Sequence, residues 1–357
     1  MTTLDGFHDA YGATYGTRGD RSVVEHYGRP ERAARAVRNG LGVYPRPADV
    51  LAITGEDRVE YVDNVLSTPV PETPGHGCYG LLLTPNGRVR LDMYVYTAPD
   101  RLFVVLPPGE REDLVADWRE KVFIQDVTFD PRPGMTVIHV TGPEATHALA
   151  PVVRDELPAE RYACRTTSIG DTTVFVAAGD APAGEVGYEL LVEQDEAATV
   201  LSELTTGGVP AIPFGTRTWE QLTLEAGTPL LDPDFRDDLP NNAGLRAAID
   251  FEKGCFVGQE VVSRIEHRGN PNERLVGLEF DERPDPDAEL IDEGESVGRV
   301  TRAATSPVLE TPIGFGYVPA GLERDALALP DGTTALLASL PFVDGSDRSA
   351  RVPAYGD

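Results

Sequence analysis

Lysine is nearly missing from these 357 residues: Lys121 and Lys253 are the only two, against 29 arginines and 59 acidic residues, for a formal charge of −28. The acids are scattered along the whole length and the positive charge is nowhere clustered, which excludes a broad surface that tracks nucleic-acid phosphates. An acidic, lysine-poor composition is the pattern of a protein adapted to high intracellular salt. In molar salt the Debye length falls to ~3 Å, so the carboxylates repel one another little while keeping the surface hydrated. Long apolar runs are missing too. No stretch approaches the ~18 apolar residues of a membrane span, and the opening segment, with Asp5, Asp9, Asp20 and Glu25, holds no signal-peptide core. Composition predicts a soluble, cytoplasmic chain with no membrane partner, a monomer by default.

Cysteine and histidine are scarce. Cys78, Cys164 and Cys255 are widely spaced, with no C-x-x-C and no histidine at zinc-ligand spacing, so neither a disulfide framework nor a metal site is expected. His76, two residues before Cys78, makes too poor a ligand set alone. The phosphate-binding loop, the nucleophile elbow, the H-E-x-x-H pair and the dinucleotide-binding glycine fingerprint are all absent.

What is present reads as mixed α and β, in a chain long enough for two or three domains. Asp49 to Ile53 is a short strand running into Thr54-Gly55-Glu56-Asp57 and then a helical pattern at Val59, Val62 and Val65, with Thr54 as the expected cap. A similar phrase recurs 87 residues on, at Thr136 to Val140 followed by Thr141-Gly142-Pro143-Glu144, with Pro143 near the first helical position. The two are either an internal repeat or merely similar strand-to-helix turns. Between them, Tyr79 to Leu83 and Val89 to Tyr96 flank Pro85-Asn86-Gly87 as a hairpin. Leu102 to Leu106 continues the sheet, Glu110 to Lys121 reads as a helix, and Val122 to Val127 as another strand. Thr172 to Ala177 and Val186 to Val192 are further strands, and Glu196 to Leu204 and Trp219 to Ala226 further helices. The charged, proline-broken run Asp281 to Asp287 marks a linker or loop near a domain boundary. Beyond it, short apolar runs separated by turn residues predict a small barrel or sandwich.

The most distinctive segment is Lys253-Gly254-Cys255-Phe256-Val257-Gly258-Gln259-Glu260. Positive charge beside a cysteine raises its thiolate fraction, and flanking glycines let backbone approach a ligand. From the residues alone, an inert buried cysteine in a tight loop remains the default reading.

This segment resembles the signature K-G-C-[FY]-x-G-Q-E of YgfZ-type folate-binding proteins, within the superfamily of the glycine cleavage T protein. The T-protein aminomethyltransferases typically carry K-x-[DE]-F-x-G there, so Cys255 is what points to the YgfZ branch. Weaker similarities follow in order along the chain: Val50 to Leu66, the hairpin Tyr79 to Asp92, Gly184-Glu185-Val186-Gly187-Tyr188-Glu189 for G-E-D-G-[FYV]-E, and Trp219 to Gly227 for A-R-D-x-L-R-x-E-x-G. Glu225 and Gly227 match the last pattern. Trp219 and Thr223 replace its two arginines, and Leu91-Asp92 stands where T proteins have two aspartates.

The resemblance implies an α+β, three-domain clover-leaf. Two interwoven α+β regions, 1–130 and 131–275, would surround a central folate cavity, followed by a C-terminal β-barrel over 276–357. It implies tetrahydrofolate or a one-carbon derivative as cofactor. Glu189 would anchor the pterin, in preference to Glu185, and Asp92 would stand near the one-carbon position. Cys255 would be the reactive thiol, and Lys253, Gly254, Gly258, Gln259 and Arg264 would contribute to folate binding, with His267 lining the cavity. The implied function is to bind reduced folate and support maturation or repair of iron-sulfur proteins, whose clients would be its partners. The alternative is a folate-dependent aminomethyl or methyl transferase, against which Leu91, Trp219 and Thr223 count.

Overall fold

The hairpin announced by Asn86-Gly87 is the edge of a five-stranded antiparallel sheet in this computed structural model, which describes residues 4–18, 21–132, 134–207 and 209–356. Strands His76–Leu83 and Val89–Thr97 pair with Tyr79 opposite Tyr94 and Leu81 opposite Asp92. Gly87 supplies the positive φ, +76°, that the turn demands. Leu102–Leu106, Asp49–Thr54 and Thr128–Pro131 complete the sheet in that order. The strand expected at Val122 to Val127 is instead a loop carrying Phe123 and Ile124 into solvent, 86% and 93% exposed, and the strand begins at Thr128. The loop is pinned by the Asp126 carboxylate, which accepts from the Glu56 backbone, and by the Asp126 backbone, which donates to Asp57. Those contacts also displace the expected cap: the helix Arg58–Val65 starts four residues after Thr54, behind Asp57. Likewise the second phrase leads into only a short helix, Ala145–Leu149, which starts beyond Pro143.

A second sheet of six strands runs Cys164–Ile169, Thr172–Ala178, Gly187–Glu193, Met135–Thr141, Gly42–Arg46, Ile212–Pro213. Gly42–Arg46 precedes every strand of the first sheet in sequence yet sits inside the second, pairing with Met135–Thr141 and, parallel, with Ile212–Pro213. This crossing interweaves the two α+β regions. It also accounts for the recurring phrase. Gly55, at φ +108°, lies under the backbone of Asp126, where an added Cβ would meet a carbonyl oxygen at 2.0 Å. Gly142, at φ +140°, lies under Gly40 in the same manner, at 2.3 Å. In each half, the chain entering a neighbouring strand crosses the glycine, so both turns need a residue without a side chain.

The third unit is a closed six-stranded barrel, Glu273–Phe280, Pro312–Pro319, Glu295–Thr305, Glu289–Asp292, Ala326–Ala328 and Thr334–Ala338, the last pairing back onto the first. The proline-broken run 281–287 is therefore a loop within the barrel and not a linker before it, since Phe280 already ends the first barrel strand. The chain then leaves the barrel and returns across the other two units. Glu225, fully buried at the end of helix Thr216–Glu225, ties the helix that precedes Gly42–Arg46 to the barrel: its carboxylate accepts from Arg38 at 3.1 Å and from Ser306 of the barrel at 2.6 Å. Among the described residues, no helix is long and apolar enough to cross a membrane.

Candidate active site between the two sheets

Sheet register sets one wall of a cavity of about 740 Å³. Tyr44, His139 and Glu189 stand directly opposite one another on three neighbouring strands, so their side chains form one row on one face. Arg46, two residues beyond Tyr44, shares that face. The first sheet supplies the other wall by the same rule: Asp92 and Tyr94, two apart on Val89–Thr97, both line the cavity. Trp219 and Glu220 of helix Thr216–Glu225 also line the cavity, as do Leu230 to Asp232, Arg236 and Arg351.

Glu189 is the most constrained of these groups. It is 4% exposed, and its Oε2 accepts from Arg46 Nη2 at 2.7 Å while His139 Nδ1 lies 3.3 Å from Oε1. Burial pushes its carboxyl up, but the Arg46 guanidinium and the His139 contact outweigh burial and hold it at about 2, so it is ionised at neutral pH. An ionised carboxylate has about four acceptor directions, and the Arg46 hydrogen bond takes one of them, leaving others for a ligand. Asp92 accepts from the Tyr79 hydroxyl at 2.7 Å, and Arg351 Nη1 lies 3.7 Å from the same oxygen. Arg351 also pairs with Asp180 at 3.1 Å, whose second oxygen accepts from Tyr94 at 2.8 Å. Burial raises the hydroxyls of Tyr79 and Tyr94 far above their ordinary range, so both are neutral donors.

The signature segment lies elsewhere. None of Lys253, Gly254, Cys255, Gly258, Gln259, Arg264 or His267 lines the cavity. Lys253 is a structural clamp: its ammonium donates to the backbone carbonyls of Asp63, Leu66 and Thr68 at 2.6–3.0 Å and pairs with the Asp63 carboxylate at 3.1 Å. Cys255 is not among its partners. Gln259 donates to the Lys253 carbonyl at 2.9 Å, closing the loop on itself. Gly258, at φ +83°, begins helix Gln259–Arg268 against the hairpin turn, where a Cβ would meet the Thr84 carbonyl oxygen at 2.6 Å. The close approach that this glycine permits is thus to the chain's own backbone. Gly254 has open space around it, and Arg264 and the Cys255 thiol are exposed. Cys78 and Cys164 are buried, and burial pushes both thiols up to about 12.

The three departures from the T-protein pattern acquire physical meaning. Leu91 points into the core, fully buried, while its neighbour Asp92 faces the cavity, so the carboxylate is retained at the position that can meet a ligand. Trp219 stacks on Tyr44, with ring centroids 5.6 Å apart, and takes the edge of His139 at 5.0 Å. The Thr223 hydroxyl accepts from Arg302 of the barrel at 3.0 Å. Glu185 lies outside the cavity, 3.9 Å from Arg38, and burial raises its carboxyl. Sequence reasoning missed Arg46, His139, Tyr94 and Arg351. The first three could have been found by extending the period-2 faces of Gly42–Arg46, Met135–Thr141 and Val89–Thr97; nothing local marks Arg351.

Comparison with known proteins matches residues 4–253 to the GCVT N-terminal domain and residues 273–344 to the glycine cleavage T-protein C-terminal barrel domain. The aminomethyltransferase of Streptomyces avermitilis is 30% identical over 335 residues, covering 89% of each chain. That of Stenotrophomonas maltophilia strain R551-3 is 28% identical over 337 residues, covering 90% of this chain and 89% of the other. The crystal structure of glycine cleavage system aminomethyltransferase T from Bartonella henselae shares the fold, with a TM-score of 0.84 at 22% identity over 99% of this chain and 98% of that one.

Proposed function

The chain belongs to the glycine cleavage T-protein family, and on that premise we propose that it is a folate-dependent one-carbon transferase of the aminomethyltransferase kind. This takes the transferase alternative ahead of the iron-sulfur role, because the relatives matched along nearly the whole chain are named aminomethyltransferases. The observation that carries it is the pairing, across one cavity, of an ionised buried Glu189 with a carboxylate at Asp92.

Tetrahydrofolate fits what these residues offer. The cavity's volume, about 740 Å³, is that of a small-molecule site, and its walls include flat aromatic faces at Tyr44, Tyr94 and Trp219. Glu189 would hold the planar N–H pair of the aminopyrimidine edge through its remaining acceptor directions. Asp92 would stabilise positive charge developing at the one-carbon nitrogen during transfer. When bound, tetrahydrofolate supplies the nitrogen that receives the one-carbon unit. The apolar residues Leu106, Pro107, Leu230 and Leu231 reduce water access around these carboxylates and so strengthen their fields.

The test is calorimetric titration with tetrahydrofolate in low and in molar salt, on the wild type and on Glu189→Gln, together with an assay of aminomethyl transfer to folate. Wild type should bind and transfer. Glu189→Gln should weaken binding about 10- to 100-fold, the worth of a charge-assisted hydrogen bond. Absence of tetrahydrofolate binding by the wild type in both salts refutes the proposal.

A second reading rests on Cys255, whose exposed thiol lies outside the cavity. In it the folate protein supports iron-sulfur clients through that thiol. Cys255→Ala would then reduce iron-sulfur enzyme activities in cells while leaving tetrahydrofolate binding intact, and unchanged activities would eliminate this reading.

A further inference from the structure

We propose that the segment following the barrel, residues 345–356, is a strap that delivers Arg351 to the cavity wall as the positioning residue for Asp92. The inference rests on the folate-transfer reading above and goes beyond it, because the two family matches end at residues 253 and 344 and leave this segment outside both.

The strap is stitched to all three units. The Ser349 and Thr228 hydroxyls lie 2.6 Å apart, the Ala350 backbone donates to Asp180 at 3.0 Å, and the Ala354 backbone donates to Gly244 at 2.9 Å. Tyr355 then reaches back to the barrel's first strand, its hydroxyl accepting from Leu275 at 2.7 Å and donating to Asn242 at 2.9 Å. Between these ties the Arg351 guanidinium is inserted over the Tyr79 ring, 4.8 Å from its centroid, in buried surroundings.

Hydrogen-bond polarity gives the position its meaning. A guanidinium only donates, so where Arg351 Nη1 meets the Tyr79 hydroxyl at 3.3 Å the oxygen must accept. The single Tyr79 proton is therefore directed to Asp92 Oδ2, 2.7 Å away. One oxygen of Asp92 is thereby fixed by a hydroxyl whose direction is set by Arg351. The other oxygen is left for the ligand. Arg351 also faces Asp180 at 3.1 Å, so one cation serves both carboxylates and keeps them from repelling each other across the cavity wall.

The experiment uses the full chain with Arg351→Gln, Arg351→Lys and Tyr79→Phe. It adds the double variant Arg351→Gln/Asp180→Asn, which leaves no buried charge unpaired at Asp180 and guards against a simple folding failure. Thermal melting, tetrahydrofolate affinity, and kcat and KM for aminomethyl transfer are read for each. A positioning role predicts folate affinity and KM within about threefold of wild type and a kcat lower by on the order of 10²-fold, the effect of a misplaced reacting group. Lysine should restore kcat to within about tenfold of wild type. Tyr79→Phe should reproduce the loss, and adding Arg351→Gln to it should cost little more, because both act through one oxygen. An unchanged kcat in the folded double variant overturns the proposal, as does a loss of affinity in proportion to kcat. A wild type that neither binds tetrahydrofolate nor transfers overturns the underlying function as well, and that failure is visible without any variant.

Discussion

Two ionic residues illustrate what a side chain's type discloses and what it conceals. Glu189's place was legible through the resemblance, which singles out the last carboxylate of the G-E-x-G-x-E run, and that residue lines the cavity. Lys253's was not, since a lone lysine beside a cysteine suggests thiol activation, whereas three carbonyls and Asp63 from a segment 190 residues away claim its ammonium. Lys253→Met should therefore lower stability by about 3 kcal/mol in urea unfolding, by stranding buried acceptors, and leave tetrahydrofolate affinity unaltered. Glu189 makes a pH prediction. Its folded carboxyl sits at about 2, below the ordinary 4.5, so its contribution is fully present above pH ~4.5 and is lost as pH falls from there toward 2. That loss is worth roughly 3 kcal/mol in wild type, and Glu189→Gln should lack it over the same window. Equal acid sensitivity in both proteins would contradict the pairing with Arg46.

At the level of elements, apolar runs and turn signals located the hairpin and the strands Met135–Thr141, Thr172–Ala178 and Gly187–Glu193, and left the C-terminal unit as a barrel or sandwich, while Gly42–Arg46, Cys164–Ile169 and Ile212–Pro213 went unread. They failed at Val122 to Val127, where an apolar run resembles a strand but long-range hydrogen bonds from Glu56 and Asp57 hold the chain as a loop. The same contacts, invisible in a local window, moved the helix start away from Thr54. Glycines flanking a cysteine suggest close approach of a ligand. Gly258 answers instead to the hairpin turn, against which it fits with no room for a methyl group. Gly258→Ala should destabilise by about 1–3 kcal/mol through its left-handed φ and the Thr84 contact, measured as a lower urea midpoint. A neutral effect would show that the helix can shift off the turn.

For the whole molecule, a charge of −28 with only two lysines predicts stability that rises with salt. Raising KCl from about 0.1 M to 1 M shortens the Debye length from ~10 to ~3 Å, and the Tm should rise by roughly 5 °C. A Tm that stays level or falls would remove high-salt adaptation as the explanation of the composition. Three-part architecture could be read from turn signals and the resemblance. The joints could not, because they depend on pairs distant in sequence: Arg38 with Glu225, Glu225 with Ser306, Arg351 with Asp92. The strand Gly42–Arg46 belongs to a sheet whose other members come at least 89 residues later, and its Arg46 waits 143 residues for Glu189. On a ribosome adding ~5–20 residues per second, that wait lasts about 7–29 s. Until Met135–Thr141 emerges, Gly42–Arg46 has no strand to pair with, which leaves its edges open to neighbouring chains while the protein is being made.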